Sequence, residues 1–329
     1  MRQKVLGIGN ALVDLIYHLK DDSILSEFGL EKGSMTLVDE KLSHALLEKL
    51  NTMNLAVQKS SGGSVANTIH GLSQLGGIVG YIGKIGDDEY GSFFRHYMEQ
   101  NNICATMFRG KSESGKSIVM VSTDSERTFG TYLGAAIELD ASDLTLEPFM
   151  GYDYFHLEGY LVQNYPLVEK ALILAKEAKL RISIDLASFN IVRENLEFLN
   201  SIVDRYVDIV FANEEEAKVF SGKNSPEDAL DAISKKCSIT VVKIGKDGSL
   251  IKEGNKKHKI DIIKSHCIDT TGAGDLYASG FFYGLTGGQT LEICGKIGSI
   301  VSGKIIEVVG TKMETDRWND AKKMIGALV

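Results

Sequence analysis

Cysteine pairs are missing from the sequence. The four cysteines, Cys104, Cys237, Cys267 and Cys294, stand far apart with no C-x-x-C among them. Such scatter suggests neither a zinc knuckle nor a disulfide framework, and it fits a reducing cytoplasm. Positive charge is also short: 36 Lys and Arg face 44 Asp and Glu, for a net charge of −8. Nucleic acid and anionic membrane surfaces are therefore poor partners, and a small anion would need a local site. No stretch approaches the ~20 apolar residues that span a bilayer. The residues before Asn10 and Asp14 are too few and too polar for a signal peptide's apolar region, so the chain is expected to stay in the cytoplasm. The seven histidines are dispersed, with no pair at metal-ligand spacing and none beside a plausible nucleophilic Ser or Cys. Hydrolase and zinc readings thus lack support. No internal repeat, low-complexity tract or linker is visible.

What is present describes a globular chain. Hydrophobic residues make up 43% and charged residues 24% of the 329 positions, a balance able to bury a substantial core. The length suits one large domain with an appendage. Helical periodicity covers 41–50 and 64–75; in the second, Val65, Ile69, Leu72 and Leu75 share a face before two glycines stop the helix. From about residue 152, short apolar runs at 154–157, 182–186, 209–212 and 239–244 alternate with helix-length amphipathic stretches. That pattern predicts β-α-β units and a parallel sheet. Between Ile103 and Tyr132 no interval is long enough for a crossover helix, which predicts antiparallel strands set apart from the main sheet. With the strand-like pieces near 12–18 and 33–38, they would form a lid.

The most informative stretch is Asp269-Thr270-Thr271-Gly272-Ala273-Gly274-Asp275, which follows a strand-like run and opens a helix. A glycine-rich turn feeding a helix leaves backbone N–H groups unpaired where the helix dipole favours negative charge. A transferring phosphoryl group would be stabilised there. Asp275, in the first helical turn, would lie beside that anion and could take a proton from an attacking hydroxyl. On its own the pattern fits equally a helix start complemented by a carboxylate, with glycines that merely turn the chain.

Further motifs decide the context. They are G-N-A-L-V-D at Gly9–Asp14, G-G-S-V-A-N at Gly62–Asn67, G-K-I-G-D-D-E-Y-G at Gly83–Gly91, N-E-E-E at Asn213–Glu216 and V-V-K-I-G-K-D-G at Val241–Gly248. In this order, and over nearly the whole chain, they resemble the ribokinase family, also called the PfkB carbohydrate kinases, and within it the adenosine kinase-like members. The resemblance implies a three-layer α/β/α domain around a mostly parallel sheet. One kinase domain would span residues 1–329, with a small discontinuous β lid from about 12–38 and 103–135.

The resemblance also implies roles. Asp275 would be the catalytic base, Gly272, Ala273 and Gly274 the anion hole, and Arg127 an arginine reaching the transferred phosphate from the lid. Asp14, Gly62, Gly63, Asn67 and Phe129 would bind the acceptor. A carboxylate accepts from a vicinal diol, an amide both donates and accepts, and glycine lets a ring approach the backbone. Asn213, Lys243, Gly245, Gly248 and Thr270 would lie at the nucleotide, although the family commonly has Thr where Lys243 stands. Glu216 would act on Mg2+ through water, since magnesium prefers oxygen ligands and keeps several waters. The resemblance leaves room for a monovalent cation near Asp269.

The implied activity is ATP-dependent transfer of the γ-phosphate to a hydroxyl, with a nucleoside, adenosine first, favoured over a free sugar such as ribose or fructose. Ser64 stands where ribokinases typically carry Lys, and Thr131–Ala136 looks adenosine kinase-like. Tyr17, Phe129 and Tyr132 are aromatics on lid segments that could sandwich a base, or simply pack the lid. An exposed lid edge leaves a monomer and a homodimer through the lid both open.

Two patterns mislead. Gly110-Lys111-Ser112-Glu113-Ser114-Gly115-Lys116-Ser117 satisfies the P-loop spacing, but Ile118–Val121 is a β-branched run and no helix opens there. The stretch is expected to be a hairpin turn of the lid. Gly7-Ile8-Gly9 begins a dinucleotide fingerprint, yet Leu12 replaces its third glycine, which leaves an NAD-dependent dehydrogenase a distant reading. A non-catalytic nucleoside- or sugar-binding protein is the other-class alternative, and the intact Asp275 and anion hole argue against it.

Overall fold

Strands and helices alternate along most of the chain. The computed structural model describes residues 2–329. In chain order the strands are β1 (Lys4–Ile8), β2 (Leu12–His18), β3 (Met35–Leu37), β4 (Val57–Gly62), β5 (Ile78–Ile85), β6 (Ile103–Arg109) and β7 (Gly115–Val121). There follow β8 (Arg127–Tyr132), β9 (Tyr154–Glu158), β10 (Arg181–Asp185), β11 (Ile209–Asn213), β12 (Ile239–Lys243), β13 (Ser249–Glu253) and β14 (Lys256–Ile260).

Nine strands form the large sheet, in the order β14-β13-β12-β11-β10-β9-β1-β5-β6. All its pairings are parallel except the hairpins β12/β13 and β13/β14. Its apolar strands alternate between two cores because successive residues face opposite sides. Val5, Ile209 and Phe211 belong to one core, and Leu6, Val210 and Ala212 to the other. Helices cover both faces, giving three layers. The helix Ala273–Thr286 packs Phe281 edge-on against Phe211, with ring centroids 5.3 Å apart. Burying such an aromatic contributes roughly 1.5–3 kcal/mol.

The five remaining strands form the small sheet, in the order β3-β8-β7-β2-β4. Its composition differs from the expectation in two ways. Strand β6, placed at the lid by the sequence reading, lies in the large sheet, parallel to β5 from Val79↔Ile103 to Ile85↔Arg109. The preceding helix Glu89–Gln100 supplies the crossover that a parallel pair needs. Strand β4 joins the small sheet, antiparallel to β2. Its Val-Gln-Lys-Ser-Ser-Gly sequence is exposed over its first half and has no apolar alternation, so periodicity gave no sign of it. The sheet is also mixed, not antiparallel, because β2/β7 and β3/β8 run parallel.

The P-loop look-alike is likewise no hairpin turn. Residues 110–114 carry the chain from the large sheet to the small one, and Lys116 is a strand residue only 2% exposed. Its ammonium bonds Glu113 at 2.6 Å and lies 5.0 Å from the ring centroid of Tyr90. No helix opens after it, in agreement with the rejection of a P-loop.

Candidate active site

Strands β1, β9, β10, β11 and β12 end on the same side of the large sheet. Asn10, Glu158, Asp185, Asn213 and Lys243 stand at or just past their carboxyl ends. In open α/β sheets this crevice is where ligands bind. A cavity of about 1080 Å³ occupies it, bounded on the other side by β2, β3, β7 and β8 of the small sheet.

Two helices aim their first turns into the cavity. The helix Ala273–Thr286 follows Gly272, whose φ of 73° is left-handed. The helix Ser64–Gln74 follows Gly63, with φ 97°. A Cβ on Gly63 would sit 2.2 Å from the carbonyl oxygen of Asn10, so only glycine fits. The helices approach closely where Gly71 faces Ser279; a Cβ there would lie 2.4 Å from the Ser279 hydroxyl. In the helix Ala273–Thr286 the first intrahelical bond runs from Leu276 N to Gly272 O at 2.8 Å. The N–H groups of Gly274 and Asp275 therefore precede the hydrogen-bonded ladder and are free for an anion.

Asp275 is the focus of the arrangement. Ser64 Oγ donates to its Oδ1 at 2.7 Å and Asn67 Nδ2 to its Oδ2 at 3.0 Å. Burial pushes its carboxyl up to about 6, while the two donors pull it back down. Asp14, on β2, is also pushed up to about 6 by burial, against the pull of Lys312 and Arg127. Gly62 makes room for it: a Cβ there would lie 2.2 Å from Asp14 Oδ1. Asn67 is buried, and its Oδ1 accepts from Lys312 Nζ at 2.8 Å. Glu158 is buried as well and accepts from Val65 N at 3.1 Å and Asn10 Nδ2 at 2.7 Å. Burial raises its carboxyl to about 7.

The other end of the cavity is ionic. Lys243 Nζ bonds Asp185 Oδ2 at 2.8 Å and lies 2.9 Å from where a Cβ on Gly274 would be. The ammonium thus stands beside the open helix start. Asn213 and Glu216 form a reciprocal cap. Asn213 Oδ1 accepts from Glu216 N at 2.9 Å, and Glu216 accepts from Asn213 N at 2.7 Å and Asn213 Nδ2 at 2.6 Å. Burial first, then the Asp185 charge, raises Glu216 to about 7.

The structure therefore gathers Asp14, Gly63, Asn67, Phe129, Asn213, Glu216, Lys243, Gly245 and Gly272–Asp275 around one cavity. Other sequence-picked residues sit elsewhere. Gly62 stands behind Asp14, and the Thr270 carbonyl accepts from Ala273 N at 3.1 Å. Gly248 turns the chain between β12 and β13 with φ 93°. Arg127 does not line the cavity; it pairs with Asp269 Oδ2 at 2.9 Å and is 7% exposed. Gly310 N donates to the same Asp269 oxygen at 2.8 Å and Thr271 N to the other at 3.0 Å. Asp269 thus takes three donors, one of them the Arg127 guanidinium that balances its charge. Of the lid aromatics, Tyr17 is buried in the core and Tyr132 lies outside the cavity lining, while Phe129 faces in.

Sequence reasoning missed Glu158, Tyr160, Asp185 and Lys312. Asp185 and Glu158 carry a usable signal, since each is a carboxylate ending a buried apolar strand. Lys312 carries none, because it sits in a loop 245 residues from Asn67, the side chain it bonds.

Comparison with known proteins follows the same lines. A family model described as pfkB family carbohydrate kinase matches residues 33–317. A solved probable sugar kinase from Rhizobium etli superimposes with a TM-score of 0.88 at 31% identity, covering 100% of this chain and 99% of that one. A solved adenosine kinase from Sinorhizobium meliloti gives a TM-score of 0.87 at 30% identity, covering 98% and 100%. An ATP-dependent 6-phosphofructokinase from Thermoanaerobacterium thermosaccharolyticum is 25% identical over 275 residues, 81% of this chain and 85% of the relative.

Proposed function

The chain belongs to the pfkB family of carbohydrate kinases, phosphotransferases with an alcohol group as acceptor, and from that membership we propose that it phosphorylates the ribose 5′-hydroxyl of a nucleoside, adenosine first. The observation that carries this reading is the character of the acceptor wing. Leu12, Phe129, Leu133, Leu161 and Tyr160 line it, with Met35, Leu37 and Ile137 exposed at its mouth. Exposed apolar side chains around a cleft mark a ligand groove, and a flat base needs such walls. A free sugar, rich in hydroxyls, would leave them in contact with water.

The wing also disfavours an acceptor that already carries a phosphate. Among the described lining residues the single cation is Lys243, at the far end and paired with Asp185. Phosphate recognition calls for Arg, Lys or free N–H groups. The open N–H groups here lie beside Asp275, where the transferred phosphoryl group would be.

In this mechanism Asp14 and Asn67 hold the ribose hydroxyls, and Asp275 accepts the proton of the 5′-hydroxyl as its oxygen attacks the γ-phosphorus. The bond from that phosphorus to the bridging oxygen breaks and ADP leaves. The N–H groups of Gly274 and Asp275 receive the charge on the transferred group, with Lys243 beside them. The residues present fit a magnesium ion held through water: Glu216 is buried and raised, and its oxygens are shared with Asn213. Magnesium bound with ATP would neutralise charge on the phosphates.

The test is ADP release with adenosine, other nucleosides, ribose and fructose at matched concentrations. Adenosine should exceed the free sugars in kcat/KM by roughly a hundredfold, the value of a few kcal/mol of base contact. Equal efficiency with ribose or fructose would reject the nucleoside. Silence with every alcohol would reject the mechanism.

A further inference from the structure

We propose that Lys312 is a positioning residue, which fixes the amide of Asn67 so that its NH2 group, and not its oxygen, faces Asp275. The proposal rests on the reading of Asp275 as the base. Three side chains from separate parts of the chain form a line. Lys312 Nζ donates to Asn67 Oδ1 at 2.8 Å, and Asn67 Nδ2 donates to Asp275 Oδ2 at 3.0 Å.

An amide turned by half a rotation occupies the same space, so shape alone does not choose its orientation. The partners do. An ammonium only donates and an ionised carboxylate only accepts, so a single orientation satisfies both. Asn67 is 5% exposed, which leaves little water to serve a misdirected amide. With the amide fixed and Ser64 on the other oxygen at 2.7 Å, the carboxylate is held by two donors. Its remaining lone pairs are left for the acceptor hydroxyl.

Lys312 is itself held in place. It follows Gly310, whose N–H is tied to Asp269, and its ammonium lies 5.4 Å from the ring centroid of Tyr97. The charged and titratable groups facing it are Asp14 from β2, Asp275, and His70 and Tyr97 from the two neighbouring helices. Burial lowers its ammonium to about 8, so it stays protonated at neutral pH.

The experiment compares Lys312→Met, Lys312→Arg and Asn67→Ala, alone and combined, in the full-length protein by ADP release with adenosine. Lys312→Met should lower kcat by about tenfold to a hundredfold, the usual effect of losing a charge-assisted hydrogen bond, with KM for ATP little changed. Its acid limb of kcat should move to higher pH, because the Asn67 donor that holds Asp275 down is lost. Lys312→Arg should restore most of both. In the Asn67→Ala background, Lys312→Met should cost nothing further. A Lys312→Met enzyme within twofold of wild type refutes the proposal, as does the same loss in the Asn67→Ala background. If Lys312→Met does not fold, Lys312→Gln, whose shorter chain stops short of Asn67, replaces it in both comparisons. Asp275→Asn is the separate control: turnover that survives it sinks the base assignment, whatever Lys312 does.

Discussion

Replacing Asp275 with Asn should remove activity and, at neutral pH, make the protein more stable. Burial raises the Asp275 carboxyl from 3.8 to about 6. At about 1.4 kcal/mol per unit, the shift corresponds to a penalty near 3 kcal/mol for keeping the group ionised in the folded state. The open cleft screens part of this, and the amide introduced in place of the carboxylate must turn its NH2 toward Ser64, so about 1–2 kcal/mol of net gain is the reasonable expectation. The sign follows from proton counting. Between pH 3.8 and about 6 the folded protein binds more protons at this site than the unfolded chain. Stability therefore falls as pH rises through that window, and the full penalty applies above it.

Asp275→Asn removes the penalty, raising Tm by about 1–3 °C at pH 8, with the difference shrinking toward zero as pH falls through 5 to 4. Over the same range wild-type kcat should fall below pH 6 as the base gains its proton, and the variant's kcat should be about 10² to 10⁴ lower. Thermal melts across pH 4–8 and initial rates of ADP release check both halves. A variant that turns over normally refutes the role. One less stable than wild type at pH 8 refutes the burial argument even if activity is lost.

Two further substitutions separate site from scaffold. Glu216→Gln should raise the magnesium concentration needed for half-maximal rate by about tenfold, typical of losing an outer-shell partner, while KM for adenosine stays put; an unchanged magnesium titration removes Glu216 from the metal's surroundings. Lys116→Ala should lower Tm, since it removes the buried ammonium that bonds Glu113 and faces the Tyr90 ring, yet change turnover by less than about tenfold because it has no P-loop contact with phosphate. Loss of ATP binding in that variant would restore the P-loop reading.

The parts of this molecule that the sequence discloses are those whose physics is local. The helix Ser64–Gln74 has its apolar residues three and four apart, and the strands β9 to β12 are short apolar runs divided by helix-length intervals, so periodicity alone identifies them. The same holds for Gly272–Asp275, where the turn, the open N–H groups and the carboxylate all lie within one helical turn of sequence. Partner choice is another matter. Strands β6 and β7 both read as short strand-like runs, and what sends β6 into the large sheet is the crossover helix before it, while β4 is recruited by backbone pairing with β2 that its polar side chains do not advertise.

The site divides along the same line. Asp275 and Asn67 stand in recognisable motifs, but 208 residues separate them, and 245 separate Asn67 from Lys312. The orientation of the Asn67 amide is a property of the assembled trio, because each end of it must find a partner of the right donor sense. A motif reports which residue types the chemistry needs; the constraint that makes an amide present its N–H groups comes from whatever side chain the fold delivers behind it. Arg127 illustrates the converse. Its lid position suggests a phosphate contact, yet in this conformation it does not line the cavity: Asp269 holds the Nη1 end of its guanidinium, and Nη2 has no partner among the described residues.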